Sequence, residues 1–266
     1  MNPCGFCTFA TNNVKHDLRL FLYSLSYSNP ASNIIIFVDS EIEKAIKKEW
    51  NELNLNIHIV NNLNQYSNKT REQMEEEKIW TDFQMIKSSL IEYSLTLLPD
   101  ILYLDSDIFI INKIELPMND KKQYDLALSP HYINKRNTNG VGFFNGGVVW
   151  TNNIDFPKKW KEYTKTSRYF DQASLEDCDK HFKTAYFGEN YNFSWWRLND
   201  SEEPSSVISS YLTYNDENVY YKNKPLIFVH THFTRSEPHF LKFNLLILNV
   251  LNKCKSMDYL SNLLIT

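Results

Sequence analysis

The first 110 residues alternate between short apolar runs and amphipathic segments, and this alternation limits the fold more than any other feature of the chain. Residues 5–10 read as a strand, followed by the polar turn Thr11-Asn12-Asn13. Over 17–27, Leu18, Phe21, Leu22 and Leu25 recur at helical spacing, and Asn29-Pro30 ends the helix. A second buried strand covers 34–38 and closes on Asp39. Ser40 is placed to cap a helix over 41–51. A third strand covers 57–60. One long helix is then expected from about 72 to 98, with Ile79, Phe83, Ile86, Leu90, Tyr93 and Leu97 along one face and Pro99-Asp100 as its stop. A further strand starts at once at Ile101. Repeated strand–helix units predict an α/β fold with a mostly parallel central sheet flanked by helices. Ligands of such sheets bind outside the carboxyl ends of the strands, where Asn12, Asn13 and Asp39 fall.

Asp105-Ser106-Asp107 lies at another such end, between the apolar runs 101–104 and 108–111. Read as one strand, the segment turns both Asp side chains to the same face, because residues two apart share a face. Two ionised carboxylates among apolar residues are costly unless something compensates them, and a hard divalent cation does so. The plain alternative has one Asp capping the strand end and the other facing water.

The chain has 266 residues, a formal charge of −4 and 15% aromatic residues, which suits one large domain or two closely fused halves with an ample core. Phosphate binding wants a basic face, so nucleic acid is not an expected partner. Among Cys4, Cys7, Cys178 and Cys254, only the first two are closely spaced, and no second pair follows. Ordinary thiols are expected, with no disulfide framework. No signal pattern and no apolar run of spanning length are present, so the expected location is cytoplasmic. With 6 glycines in all, a Gly-rich phosphate loop is not expected. Beyond Ile111 the pattern is less regular and reads as α+β structure laid over the sheet, suited to a second substrate. The apolar helix over 240–251, with Lys242 and Lys253 nearby, reads as docked on the core, with weak peripheral membrane contact as its other use. The oligomeric state is not legible.

Several segments, taken in order, match one pattern: Phe9-Ala10-Thr11-Asn12-Asn13, Tyr23-Ser24-Leu25, Lys87, Leu102 through Ile108, Phe144-Asn145-Gly146-Gly147-Val148, Asp171-Gln172 and Phe228-Val229-His230. Over about residues 5–235 the chain resembles the retaining glycosyltransferases of family 8 and their relatives. The resemblance implies a single GT-A catalytic domain over 1–266. It would have a nucleotide-sugar half at 1–110, an acceptor half at 111–240 and a C-terminal helical segment at 241–266. It implies transfer of a hexose or related sugar from a nucleotide-diphospho-sugar, with UDP the expected nucleotide, to a glycan or small hydroxyl acceptor.

The resemblance also implies roles. Asp105, Asp107 and His230 would hold Mn²⁺, or Mg²⁺ next. His232 shares the face of His230 and is a rival ligand or a substrate contact. Ala10, Thr11, Asn12 and Asn13 would form the nucleotide turn. Lys87, Ser106, Asn145 and Gly146 would contact the donor, and Gln172 with Asp171 would lie nearest the anomeric carbon. Thr234-Arg235-Ser236-Glu237-Pro238 departs from the family's Gly and Lys-Pro, so the diphosphate contact usual there is in question. Read by themselves, Lys87 is a surface lysine, Gly146-Gly147 a hairpin or bulge pair, and Asp171 the N-cap of a helix over 173–180. Trp195 and Trp196 stack on a sugar or pack in the core. Rival functions are an inverting transferase with Asp171 or Glu189 as base, a haloacid-dehalogenase-type phosphatase, and a non-catalytic sugar-nucleotide-binding subunit.

Overall fold

The computed structural model describes residues 1–50 and 52–265, so Asn51, expected to end the helix over 41–51, lies outside the described residues. The strands, in chain order, are β1 (Phe6–Ala10), β2 (Ser32–Val38), β3 (Leu55–Asn61), β4 (Ile101–Leu104), β5 (Ile108–Ile110), β6 (Leu126–Pro130), β7 (Phe144–Thr151), β8 (Thr184–Tyr186), β9 (Phe193–Ser194), β10 (Leu212–Tyr214), β11 (Val219–Tyr221), β12 (Lys224–Pro225) and β13 (Phe228–His230). The main sheet has seven strands in the order β3-β2-β1-β4-β7-β6-β8. Its pairs β3/β2, β2/β1, β1/β4 and β6/β8 are parallel, and only β7 runs against its neighbours. The α/β fold with a mostly parallel sheet is therefore present.

Helices cover both faces of this sheet, as the doubly apolar strands require. Phe6 and Ala10 of β1 pack with Leu18, Phe21 and Leu25 of the helix Lys15–Ser28. Cys7 and Phe9 face the other way and pack with Leu90 and Ile91 of the helix Ile86–Leu95 and with Trp160. Full burial of such side chains contributes about 1.5–3 kcal/mol each. A third core joins Val229 of β13 and Phe193 of β9 to Phe243 and Ile247 of the helix Pro238–Leu251. That helix is docked by one face, while Leu241 and Leu245 stay exposed. No helix among the described residues is long and apolar enough to cross a membrane.

Three local expectations need correction. The helix expected over 72–98 is three short helices, Arg71–Glu76, Trp80–Gln84 and Ile86–Leu95: Lys78 turns into the left-handed region at φ 60 after the first, and Met85 leaves helical geometry at ψ 2 between the second and third. Asp39, not Ser40, caps the helix Ser40–Lys48: its carboxylate accepts from Ile42 N at 3.0 Å. Finally, 101–110 is not one strand. β4 belongs to the main sheet and β5 to a small sheet, β5-β13-β9, so Asp105-Ser106-Asp107 is the turn between them.

Candidate functional site

The turn from β4 to β5 carries the two carboxylates to the end of the main sheet. Asp105 N donates to Gly147 O at 2.9 Å, and Ile108 N closes the turn on Asp105 O at 3.2 Å. Strand alternation thus does not aim Asp105 and Asp107 at one spot; the turn does. β13 lies antiparallel to β5 with His230 opposite Ile108, and Thr231 N donates to Asp107 O at 3.0 Å. This register sets His230 Nε2 3.1 Å from Asp107 Oδ1 and 3.9 Å from Asp105 Oδ2. One ligand atom from each of the three residues falls within 4.8 Å of the others.

The donor set fits a divalent ion. It offers two carboxylate oxygens and one imidazole nitrogen, a mixture suited to Mn²⁺ and then Mg²⁺. The 3.1 Å gap is close to the ~3 Å separating adjacent ligands of an octahedral ion. His232 stands differently. Its Nδ1 is 2.8 Å from the buried Asp17 Oδ2, and its Nε2 is 3.4 Å from Asp107 Oδ2. It braces the far oxygen of Asp107 and lies outside the three-residue cluster. Burial opposes the charged form of both groups. For Asp107, the imidazoles of His230 and His232 outweigh it and hold the carboxyl well below the ordinary range. For His232, Asp107 and Asp17 outweigh it and raise the imidazole.

Behind the turn lies a buried polar layer. Lys87 is 8% exposed, so it is no surface lysine; its Nζ sits 2.8 Å from Asp171 Oδ2 and 3.4 Å from Asp105 Oδ1, and donates to Gly146 O at 3.3 Å. Burial alone would lower its pKa, but the two carboxylates raise it above that of an ordinary lysine. Asp171 caps no helix; the helix expected over 173–180 is Leu175–His181, preceded by the short turn Phe170–Ala173. Tyr103 donates its hydroxyl to Asp105 Oδ1. Asn145 Nδ2 donates to Gln172 Oε1 at 3.1 Å, and Gly146 N to the same oxygen at 3.4 Å. The glycine pair has a packing reason. A Cβ at Gly146 would strike Asp171 Oδ2, and one at Gly147 would strike Asp105 Oδ2 and lie 2.7 Å from His230 Cε1.

In front of the turn opens a cleft of about 550 Å³. Ala10, Thr11, Asn13, Lys87, Asp105, Ser106, Asp107 and His232 line it. Asn12 does not; its backbone N donates to Asp39 Oδ2 at 2.8 Å and its side chain to Asn68 Oδ1 at 3.3 Å, so it shapes the wall. Asn145, Gly146, Asp171, Gln172 and His230 stand in the layer behind. The sequence reading missed Lys69, Arg71, Trp80 and Phe83 on the opposite wall. Trp80 and Phe83 were absorbed into the supposed long helix, and Lys69 and Arg71 fall just ahead of it in a segment with no motif of its own. Arg235 also lines the cleft, from the segment that departs from the family pattern. Trp196 packs edge-on against His230 at 5.1 Å between centroids, and Trp195 packs against His239 and Phe240.

This sheet order, with a carboxylate turn at the end of β4, is the GT-A glycosyltransferase fold. The galactosyltransferase LgtC, solved with donor and acceptor sugar analogs, shares it with a TM-score of 0.54 at 16% identity, over 92% of this chain and 96% of that one. The glycosyltransferase GlyE of Streptococcus pneumoniae matches with a TM-score of 0.50 at 18% identity, over 75% of this chain and 48% of its own. No protein-family profile matches the chain, and no curated protein matches it in sequence.

Proposed function

We propose that this chain is a divalent-metal-dependent glycosyltransferase. It moves a hexose or related sugar from a nucleotide-diphospho-sugar, with UDP the expected nucleotide, to a hydroxyl of a glycan or other acceptor, with retention at the anomeric carbon. The observation that carries the reading is the convergence of Asp105, Asp107 and His230 at the rim of a cleft large enough for a nucleotide sugar. A divalent ion held there would neutralise the charge that grows on the leaving diphosphate. The chain's own residues do the rest. Ala10, Thr11 and Asn13 form the floor beneath the nucleotide. Lys69, Arg71 and Arg235 line the walls, each beside a carboxylate (Glu77, Glu75 and Glu237) that a diphosphate would compete with, and Arg235 stands in for the family's lysine. Lys87 fixes Asp105 and Asp171 relative to each other, and Gln172 is held through Asn145 and Gly146 at the sugar end.

Retention is supported by the state of two candidate bases for an inverting enzyme, Asp171 and Glu189, which leaves Glu72 as the one acid on the cleft wall outside the metal pair. Asp171 is 1% exposed and paired with Lys87, and Glu189 pairs with Lys222 at 2.6 Å and does not line the cleft. Neither is placed to accept a proton from an acceptor in the cleft.

The test is a panel of nucleotide sugars with Mn²⁺ or with chelator, read by nucleoside diphosphate release and by thermal shift. One donor should turn over only with metal. A ligand at a hundred times its dissociation constant should add about 2.7 kcal/mol of stability. Metal-dependent UDP binding with no turnover of any donor would instead favour a non-catalytic binding subunit.

A further inference from the structure

The polar layer continues from the metal cluster through a residue so far assigned no role. Asn192 immediately precedes β9, the strand that runs parallel to β13 with Ser194 opposite His230. It is 1% exposed and has φ 48, a left-handed conformation that asparagine tolerates better than most residues. The buried Arg197 holds this backbone, donating to Glu189 O, Tyr191 O and Asn192 O at 2.5, 2.9 and 3.2 Å. The Asn192 amide meets three groups: Ser129 Oγ at 3.1 Å, Asn145 Oδ1 at 3.1 Å and His230 Nδ1 at 3.0 Å.

The orientation of the amide follows from its neighbours. Gly147 N, a backbone donor, gives its proton to Asn145 Oδ1 at 3.0 Å, so that atom is an oxygen. The Asn192 group facing it is therefore the NH₂, which also donates to Ser129. The Asn192 oxygen is left to face His230 Nδ1, and it can only accept. The Nδ1 that meets it therefore carries a proton, whether or not Nε2, 3.1 Å from Asp107 Oδ1, carries another in the absence of an ion.

We infer that Asn192 is a positioning residue for His230: its amide oxygen holds the imidazole with a proton on Nδ1, so that Nε2 faces Asp105 and Asp107 and is the nitrogen left to give its lone pair to an ion there. The inference deepens the metal-site reading above and rests on it for its purpose, but not for its test. Through Asn145, the same amide ties the metal histidine to Gln172 at the sugar end, so one hydrogen-bonded chain sets both halves of the site.

The experiment is nitrogen-15 NMR of histidine-labelled, metal-free protein, which reads the proton on each ring nitrogen separately. His230→Gln assigns the resonance. Two variants accompany it. Asn192→Gly accepts the backbone angle and removes the amide; Asn192→Asp keeps an acceptor facing Nδ1. Wild type and Asn192→Asp should show His230 protonated on Nδ1. Asn192→Gly should shift His230 toward the form protonated on Nε2 alone, and its Mn²⁺ dissociation constant by calorimetry should rise ~10–100-fold, the usual cost of losing such a partner. A wild-type His230 with no proton on Nδ1 overturns the inference, as does an Asn192→Gly protein with the wild-type pattern of ring protonation. If wild-type protein binds no Mn²⁺ at all, the metal reading fails, while the spectra still decide the role of Asn192.

Discussion

Lys87 Nζ lies 2.8 Å from Asp171 Oδ2, across 84 residues of sequence, with both side chains nearly out of water. A buried ion pair is weak evidence of net stability, because desolvation offsets much of its attraction. Removing one partner is another matter, since it strands a charge. Lys87→Met should therefore cost about 3–5 kcal/mol in urea unfolding of the metal-free protein. A lysine on an open helix face would change stability by no more than about 0.5 kcal/mol, and that result would put Lys87 back on the surface.

The three-residue cluster ranks its members. Asp105→Asn and Asp107→Asn keep shape and remove charge, so each should abolish metal-dependent turnover with the fold retained by circular dichroism. His230→Ala should weaken Mn²⁺ binding by well over the ~10–100-fold typical of an outer partner. His232→Ala should fall within that outer range, because His232 braces Asp107 from the side of Asp17. Calorimetry on the four variants decides the order. A larger loss for His232→Ala would make it the ligand in place of His230.

Much of this was legible in the sequence where neighbours along the chain carry the signal. β1, β2 and β3 and the helices between them follow from periodicity, and the carboxylate pair stood out by type and spacing. The break at Lys78 did not, because no glycine or proline marks a left-handed turn there and the apolar stripe runs on past it. The turn at Asp105-Ser106-Asp107 hid for a related reason: apolar residues of two strands in two sheets read as one run. Contacts made by register between distant strands, such as His230 with Asp107 or Asn192 with His230, leave no local trace. Gly147 is a partial exception. Its lack of a side chain is visible in sequence, but the packed carboxylate that requires it is not.

His131, which is not one of the three residues of the metal cluster, gives a pH signature of its own. Its Nδ1 lies 3.0 Å from Gly142 O and its Nε2 3.4 Å from Asn145 Nδ2, which suits a neutral ring with one donor and one acceptor. Burial lowers its pKa from 6.5 to about 4. The unfolded chain thus takes up a proton at a pH where the folded chain does not. The stability tied to His131 is full above about pH 6.5 and is lost as pH falls through about 4. The loss should be on the order of 3 kcal/mol. Chelator-treated wild type and His131→Gln should differ in their pH profiles over that window, with the variant flatter. Parallel profiles would mean that His131 titrates normally in the folded chain.

Gly147 tests the geometry of the site with the smallest change available. A methyl group there would meet Asp105 Oδ2 and His230 Cε1, two of the three residues in the metal cluster, and would also come within 2.9 Å of Asn145 Oδ1. None of these can yield easily. Asp105 is held by Tyr103 and faces Lys87, His230 is held by Asn192, and the backbone of Gly147 itself accepts from Asp105 N. Gly147→Ala should therefore spread the cluster and raise the Mn²⁺ dissociation constant ~10–100-fold, as misplacing a ligand's support does. Gly146→Ala pushes on Asp171 and Gln172 instead. It should lower turnover while leaving Mn²⁺ affinity nearer to wild type. Gly140→Ala, where nothing lies within 4 Å of the added carbon, is the control and should bind metal as wild type does. Wild-type Mn²⁺ affinity in Gly147→Ala would show that the ion is not held where Asp105, Asp107 and His230 converge.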